Sequence, residues 1–181
     1  GVTSTGGIAI PLLLEALGVQ PVKLFCTLNG EFPHNPEPLK EHLGDLMREV
    51  VTQGADFGSV VDPDVDRLAF VDEKGEMLGE ESTLVAVADY VLANTSGNTV
   101  SNMSSSRALR DITNKHNGRY TASAVGEVNV VQMMKDTKAV IGGEGNGGII
   151  YPELHYGRDS LVGVALFLSH LVEQKTTVMQ I

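Results

Sequence analysis

An apolar run that ends in alternating aspartates decides the fold: Phe57-Gly58-Ser59-Val60-Val61, then Asp62-Pro63-Asp64-Val65-Asp66-Arg67. The apolar run is typical of a short buried strand, because it is brief, contains paired valines and is bounded by Gly54 and a proline. The loop that follows, the acidic loop (residues 62–67), carries three carboxylates. Crowded carboxylates repel one another unless a cation lies between them, and hard oxygen ligands suit Mg²⁺ or Mn²⁺. The pattern therefore predicts a metal site with the ligands Asp62, Asp64 and Asp66.

Other interpretations of the acidic loop lead to different proteins. An EF-hand is excluded, because its sixth position requires glycine for a sharp turn and Arg67 stands there instead. A solvated acidic turn, a phosphatase with an aspartate nucleophile and a glycosyltransferase with an Asp-x-Asp metal site remain open. Neither enzyme class explains the third aspartate together with Arg67. The Arg67 guanidinium either neutralises the carboxylates or binds a phosphate through two parallel N–H donors.

Composition and charge narrow the range of partners. The chain has 181 residues, 42% of them hydrophobic, which is enough for a buried core. It has 13 Lys and Arg against 23 Asp and Glu, a net charge of −10, which disfavours nucleic acid and anionic membranes as partners. The single Cys26 permits no internal disulfide, as is typical of a cytoplasmic protein. The longest apolar run, residues 161–172, is too short to cross a bilayer.

Strand-like and helix-like segments alternate along the chain with short connections. Strands are predicted at residues 22–26, 57–61, 68–72, 99–103, 119–123, 139–141 and 149–150. Helices are predicted at residues 8–17, 39–53, 80–93, 108–116, 128–135 and 161–172. Alternation of this kind predicts an α/β fold of two consecutive domains, each a mostly parallel sheet with helices on both faces. The pattern restarts near Gly79, so we expect the domains at residues 1–78 and 79–181.

A second loop, the glycine loop (residues 142–148), presents one carboxylate and one carboxamide among glycines: Gly142-Gly143-Glu144-Gly145-Asn146-Gly147-Gly148. It contains Gly-x-Gly-x-x-Gly, but a strand-like segment follows where a dinucleotide site needs a helix, so that site is excluded. Glu144 and Asn146 offer acceptors and donors at a spacing suited to adjacent sugar hydroxyls. A glycine-rich hairpin with two incidental polar residues is the alternative.

Further polar residues stand where strands are predicted to end. They are Ser104 in the run Ser104-Ser105-Ser106-Arg107, the pair Gly126 and Glu127, and the pair Arg158 and Asp159. Ligands of open α/β sheets collect at the carboxyl ends of the strands. We therefore predict that the loops of Ser104, Gly126 and Glu127 lie beside a bound ligand, and the family resemblance given below implies that these residues contact the substrate.

The two loops together resemble those of the α-D-phosphohexomutases. The acidic loop is similar to their metal loop, usually Asp-Gly-Asp-Gly-Asp-Arg, and the glycine loop is similar to their sugar loop, usually Gly-Glu-x-Ser-Gly-His. Their order along the chain also fits, with Asn35-Pro36-Glu37 upstream and Arg158-Asp159 downstream. The version with Val125-Gly126-Glu127-Val128-Asn129 is most similar to phosphoglucosamine and phosphomannose mutases of the archaeal-like branch.

The resemblance implies that this chain is the second and third of four domains. The whole protein would interconvert a hexose 1-phosphate and a hexose 6-phosphate (glucose, mannose or glucosamine) through a hexose 1,6-bisphosphate. A phosphoserine in the first domain would be the nucleophile, so the chain alone is expected to be inactive. Its partners would be a phosphosugar and domains I and IV of the same polypeptide. In this chain the three aspartates would hold Mg²⁺, Arg67 would be catalytic, and Glu144 and Asn146 would hold sugar hydroxyls.

Several positions depart from the usual family pattern. Asn146 replaces a serine, Gly148 and Glu127 replace histidines, and Ser104 replaces a lysine found in some members. These departures leave the hexose and the general acid and base open. Two hypotheses from other classes also remain: a fragment of a metal-dependent glycosyltransferase, and a non-catalytic binding module.

Overall fold

The computed structural model describes residues 3–181 and places helices and strands in alternation over most of that range. Its helices are α1 (Gly6–Ala16), α2 (Gly44–Gln53), α3 (Glu80–Asn94), α4 (Ala108–Lys115), α5 (Glu127–Thr137) and α6 (Ser160–Gln174). Its strands are β1 (Gly58–Val61), β2 (Leu68–Val71), β3 (Met77–Leu78), β4 (Asn98–Asn102), β5 (Tyr120–Ser123), β6 (Ala139–Glu144) and β7 (Gly148–Ile150). The predicted α/β fold class is confirmed.

The first sheet corrects the prediction of a mostly parallel sheet in each half. It has the order β1-β2-β3 and is antiparallel throughout, with Val61 opposite Leu68 and Val71 opposite Met77. The acidic loop joins β1 to β2 and a tight turn joins β2 to β3, whereas a parallel pair needs a crossover of about a dozen residues or more. The predicted strand at residues 22–26 is also wrong, because that segment forms no ladder with either sheet.

The second sheet follows the prediction more closely. Its order is β5-β4-β6-β7, and β4 runs parallel to both β5 and β6. The helices α4 and α5 make the crossovers that these parallel pairs require. β7 returns antiparallel to β6 through the glycine loop, so that loop is a hairpin. A hairpin agrees with the exclusion of a dinucleotide site, which needs a helix at this point.

The main hydrophobic core lies between the two sheets and crosses the predicted domain boundary. Leu68 and Phe70 of β2 are fully buried against α3 and α6, and the rings of Phe70 and Phe167 stack with centroids 3.8 Å apart. The opposite face of β2 places Ala69 in a smaller cluster with Leu43. Loss of either stacked ring would cost about 3–5 kcal/mol of stability. Residues on both sides of Leu78 therefore contribute to one core.

The packing of β2 and α6 fixes the acidic loop beside the glycine loop. The Leu68 amide donates to the Gly147 carbonyl at 3.2 Å, and the Ser160 amide donates to the Val65 carbonyl at 3.0 Å. The start of β2 is thus bonded to the glycine hairpin, and the acidic loop that precedes it is bonded to the start of α6. Among residues 3–181, no helix is both long enough and apolar enough to cross a membrane.

Candidate active site

The acidic loop brings its three aspartates together, as predicted. One carboxylate oxygen from each of Asp62, Asp64 and Asp66 lies within 4.8 Å of the other two. Val65 adopts a left-handed φ of 63°, which is costly for a β-branched residue. Its side chain is buried in the main core, and that burial offsets the backbone cost. Core packing at Val65 therefore helps to hold the turn on which the carboxylates converge.

Asp62 is buried and is held by the loop itself. Its Oδ1 accepts hydrogen bonds from the amides of Asp66 and Arg67, both at 3.0 Å, and its Oδ2 accepts from Arg67 Nε at 2.8 Å. Burial acts to raise the pKa of Asp62, but these hydrogen bonds outweigh it and lower the pKa below its ordinary value. Asp62 is therefore an ionised carboxylate fixed in place.

Asp66 has the opposite environment. Its Oδ1 is buried and has no hydrogen-bond partner in the described part of the chain, while its Oδ2 pairs with the Arg158 guanidinium. Burial, and then the neighbouring Asp62 carboxylate, raise the pKa of Asp66 to about 7, against the effect of Arg158. A buried oxygen without a donor, beside two further carboxylates, fits a hard divalent cation such as Mg²⁺ or Mn²⁺.

Arg67 ties the acidic loop together. Besides its bond to Asp62, its NH1 donates to Glu37 Oε1 at 3.3 Å in the proline-rich segment. Burial acts to lower its pKa, but the bond to Asp62 and its other acidic neighbours raise it. The side chain keeps 31% of its surface exposed. Arg67 therefore fixes Asp62 while retaining a solvent-facing edge that can reach a phosphate.

The glycine loop places Glu144 and Asn146 in different environments. Glu144 ends β6 and is buried, where its Oε1 accepts from Asn102 Nδ2 at 2.9 Å and its Oε2 from Arg158 NH1 at 3.0 Å. Asn146 is exposed on the turn, and its Oδ1 accepts from the Gly148 amide at 3.2 Å. Gly147 has φ 87°, and a Cβ there would lie 2.2 Å from the Leu68 carbonyl oxygen, so this contact between the loops requires glycine.

The remaining predicted contact residues are Ser104, Glu127 and Gly126. Ser104 donates to Asn102 Oδ1 at 3.0 Å, so it connects to Glu144 through Asn102. Glu127 lies in the first turn of α5 and accepts the Arg158 amide on Oε1 at 3.2 Å. Gly126 precedes α5 with φ 110°, where glycine is required.

Arg158 is a charged residue of this site to which sequence reasoning assigned no role. Its guanidinium pairs with Asp66 of the acidic loop, Glu144 of the glycine loop and Glu127 of α5. The signal in the sequence was a polar pair, Arg158-Asp159, ahead of the last helix. Asp159 proves to be the N-cap of α6, accepting the Leu161 amide at 2.7 Å. That cap fixes the backbone from which Arg158 reaches the carboxylates.

Comparison with known proteins identifies the family. The model described as phosphoglucomutase/phosphomannomutase, alpha/beta/alpha domain III, matches residues 79–181, and the corresponding domain II model matches residues 1–75. The chain belongs to the phosphoglucomutase/phosphomannomutase family. The resemblance carried by the two loops, and its restriction to the second and third domains, are confirmed.

Relatives and solved structures agree with this family membership. The chain is 37% identical over 162 residues to a phosphoglucomutase/phosphomannomutase of Thermococcus kodakarensis, covering 88% of this chain and 36% of the relative. It is 32% identical over 166 residues to a probable phosphoglucosamine mutase of Methanopyrus kandleri, covering 91% and 37%. A family protein from Burkholderia thailandensis has a crystal structure that matches with TM-score 0.84 and 27% identity, covering 94% and 38%. The chain thus spans little more than a third of the length of each protein.

Proposed function

We propose that this chain supplies two site-forming domains of a phosphohexomutase: residues 1–78 with the acidic loop and residues 79–181 with the glycine loop. The observation that carries the proposal is the position of Arg158, which pairs with Asp66 and Glu144 at once. Because one side chain spans both loops, a phosphate near the cation and a hexose on the glycine loop would share one site. The family matches, which meet between residues 75 and 79, support the same division.

Asp62, Asp64 and Asp66 would hold the cation, with Mg²⁺ as the first choice and Mn²⁺ as the second. When bound, it would supply charge stabilisation for the transferring phosphoryl group. The chain's own contribution is to keep Asp62 ionised through the amides of Asp66 and Arg67. Arg67 would orient Asp62 through Nε and direct its exposed edge toward a phosphate oxygen.

The substrate would be a hexose phosphate, converted between its 1-phosphate and 6-phosphate forms through a hexose 1,6-bisphosphate. Glu144 would accept a sugar hydroxyl, with Asn146, Ser104, Gly126 and Glu127 completing the contact surface. The relatives' names include glucose, mannose and glucosamine mutases, so the hexose remains open. The phosphoserine and much of the phosphate-binding surface would lie on domains I and IV of the same polypeptide, in the cytoplasm.

Paramagnetic broadening by Mn²⁺ tests the cation site in ¹⁵N-labelled chain. We expect amide signals to be lost around residues 62–67, with weaker loss near Glu144, because the effect falls steeply with distance. Asp64 is exposed, so Asp64→Asn should lower Mn²⁺ affinity by more than about tenfold while leaving the fold intact. Asp111→Asn, an exposed change on α4, is the matched control.

Diffuse broadening over surface carboxylates, or equal Mn²⁺ affinity in the two variants, would contradict the cation site. Activity gives an independent check. The chain alone should convert no glucose 1-phosphate, because its nucleophile would lie on another domain. Steady turnover by the pure chain would show that the assignment of the nucleophile is wrong.

A further inference from the structure

Arg158 lies where the two loops meet, and each nitrogen of its guanidinium faces a different carboxylate. NH2 pairs with Asp66, NH1 lies 3.0 Å from Glu144 Oε2, and Nε lies 3.3 Å from Glu127 Oε2. We call this arrangement the Arg158 bridge. Only 18% of the Arg158 side chain is exposed, so these pairs are weakly screened by solvent.

The surrounding backbone is shaped to accept the Arg158 side chain. A Cβ on Gly148 would lie 2.4 Å from Arg158 Cδ and 3.2 Å from Cγ, so the stem of the arginine passes over the bare glycine. Any side chain at position 148, including the histidine of the usual sugar loop, would displace it. Arg158 is also held at its own backbone, where its amide donates to Glu127 and its strand-like bridge pairs it with Ile150.

The charges around this guanidinium give it a choice of partners. A divalent cation on the acidic loop would attract the Asp66 carboxylate and repel the guanidinium that now pairs with it. Glu144 would still hold Arg158 through the hydrogen bond from NH1, and the Glu127 carboxylate would remain 3.3 Å from Nε as an ion-pair partner that makes no hydrogen bond to this nitrogen. Cation binding would therefore move the guanidinium toward Glu144 without leaving it unpaired.

We propose that Arg158 is a positioning residue that couples cation occupancy of the acidic loop to the placement of the Glu144 carboxylate. The coupling rests on the proposed cation site. With the acidic loop free of cation, Arg158 divides its bonds between Asp66 and Glu144. With the cation bound, Arg158 orients Glu144 for the sugar hydroxyl. By linkage, the factor by which the bound cation strengthens the pairing of Arg158 with Glu144 equals the factor by which that pairing strengthens cation binding.

The Asn102 side-chain amide reports on Glu144 directly, because its Nδ2 donates to Glu144 Oε1. Mg²⁺ is diamagnetic, so its titration leaves this signal visible. In the wild-type chain we expect Mg²⁺ to shift the Asn102 side-chain amide together with the backbone amides of residues 62–67. Arg158→Gln should bind Mg²⁺ about fivefold more tightly and abolish the Asn102 shift. The backbone bond from Leu68 to Gly147 remains in this variant, so it tests the side-chain route alone.

Two further variants separate positioning from simple charge. Arg158→Lys keeps the charge but loses the fork, so Mg²⁺ affinity should stay within about twofold of wild type while the Asn102 shift is lost. Arg110→Gln removes an exposed arginine on α4 that contacts Asp111, and it should change neither quantity.

A double-mutant cycle gives the sign of the coupling. Glu144→Gln should weaken Mg²⁺ binding about threefold in the wild-type background, because Arg158 then pairs more fully with Asp66. In the Arg158→Gln background the same change should have almost no effect. Additive effects of the two substitutions would overturn the proposal, since a simple electrostatic field predicts additivity.

The Mg²⁺ titration distinguishes a failure of the proposed cation site from a failure of the proposed coupling. If Mg²⁺ shifts no amide of residues 62–67, the cation site is wrong and the coupling is wrong with it. If those amides shift while the Asn102 side chain does not, the cation site stands and the coupling is overturned. An Asn102 shift that persists in Arg158→Gln would also overturn the coupling alone.

Discussion

Two clusters of charged side chains in this chain differ in how their charges balance. Within residues 3–181, carboxylates outnumber guanidinium groups around the Arg158 bridge: Arg67 and Arg158 pair with Glu37, Asp62, Asp66, Glu127 and Glu144, and Asp64 is a further carboxylate beside Asp62 and Asp66. At the junction of α3, α4 and α6, the Asp89 carboxylate pairs with Lys115, His116 and His170, and Glu173 is a second acidic group near His170. The first cluster keeps a buried carboxylate oxygen, Asp66 Oδ1, that accepts no hydrogen bond and has Arg67 Nε 3.7 Å away. In the second cluster the buried atom without a hydrogen-bond partner is a ring nitrogen, His170 Nδ1, while the Asp89 carboxylate is paired.

The difference supports the cation site that we propose at the Arg158 bridge. Removing a charge from water is costly unless an opposite charge replaces the lost hydration. The junction cluster meets this requirement within the chain and holds three helices together. The Arg158 bridge does not, so its acidic excess is best explained by a cation that binds there. Local charge balance, more than the number of charges, separates the two roles.

The largest expected effects come from matched substitutions of Asp62 and Asp89, the central aspartates of the two clusters. Asp62→Asn removes the ionised acceptor of two amides and Arg67, and we expect Mg²⁺ affinity to fall by more than about tenfold. Asp89→Asn removes the charge that holds His116 at 2.6 Å and Lys115 at 3.3 Å. It should cost about 1–2 kcal/mol of unfolding free energy and leave Mg²⁺ affinity unchanged.

Calorimetry with Mg²⁺ and urea denaturation of each variant measure the two effects separately. The comparison fails if Asp89→Asn weakens Mg²⁺ binding as much as Asp62→Asn does. It also fails if Asp62→Asn leaves the affinity at the wild-type level, because the loop would then not be the cation site.

The local features of this site were predictable from the sequence, because their residues lie close together along the chain. Asp62, Asp64 and Asp66 converge within one turn, so their spacing alone indicated a common ligand. Glu144 was recognisable for a similar reason, as the one carboxylate in a run of glycines. The role of Arg158 was not, because its three partners come from three distant segments that only packing brings together.

The direction of the strands was harder to predict than their positions. Residues 57–61 and 68–72 were recognised as strands, but the connection through the acidic loop makes them a hairpin rather than a parallel pair. Segment 22–26 has the composition of a strand, yet composition cannot supply a neighbour to pair with, and Phe25 lies at φ 51° instead. Strand pairing depends on partners that a local pattern does not contain.

The two clusters should also respond to pH with opposite signs. Burial lowers the pKa of His170 below its ordinary value of 6.5, with Asp89 and Glu173 acting against it. As pH falls through 6.5, the unfolded chain takes up a proton that folded His170 does not, so His170 lowers stability on the acidic side. Asp66, whose pKa is raised to about 7, instead increases stability on the acidic side in the metal-free chain. The reason is that the folded state binds this proton at a higher pH than the unfolded state does.

Comparison with His170→Gln isolates the histidine from the other groups that face it, which are Asp89, Tyr90, Lys115, His116 and Glu173. We compare urea midpoints at pH 7.5 and pH 5.5, which lie about one unit above and below the ordinary histidine pKa of 6.5. As the pH is lowered over this range, the midpoint of the wild-type chain should fall more than that of the variant. Equal slopes in the two chains would show that His170 titrates alike in the folded and unfolded states.

The smallest expected effect on Mg²⁺ affinity comes from a single methyl group added beneath the Arg158 bridge. In Gly148→Ala, the added Cβ would meet Arg158 Cδ at 2.4 Å, and this flexible stem can move aside. Because the atoms that must move lie in the middle of an ion-paired arginine side chain, the change should cost about 1–3 kcal/mol of stability. Because it displaces the guanidinium from Asp66, it should tighten Mg²⁺ binding about twofold, in the same direction as Arg158→Gln but less.

Gly44→Ala adds a methyl in open space and serves as the control in the same calorimetric titration. Weaker Mg²⁺ binding in Gly148→Ala would mean that Arg158 helps to hold the cation loop in its binding form instead of competing with the cation for Asp66.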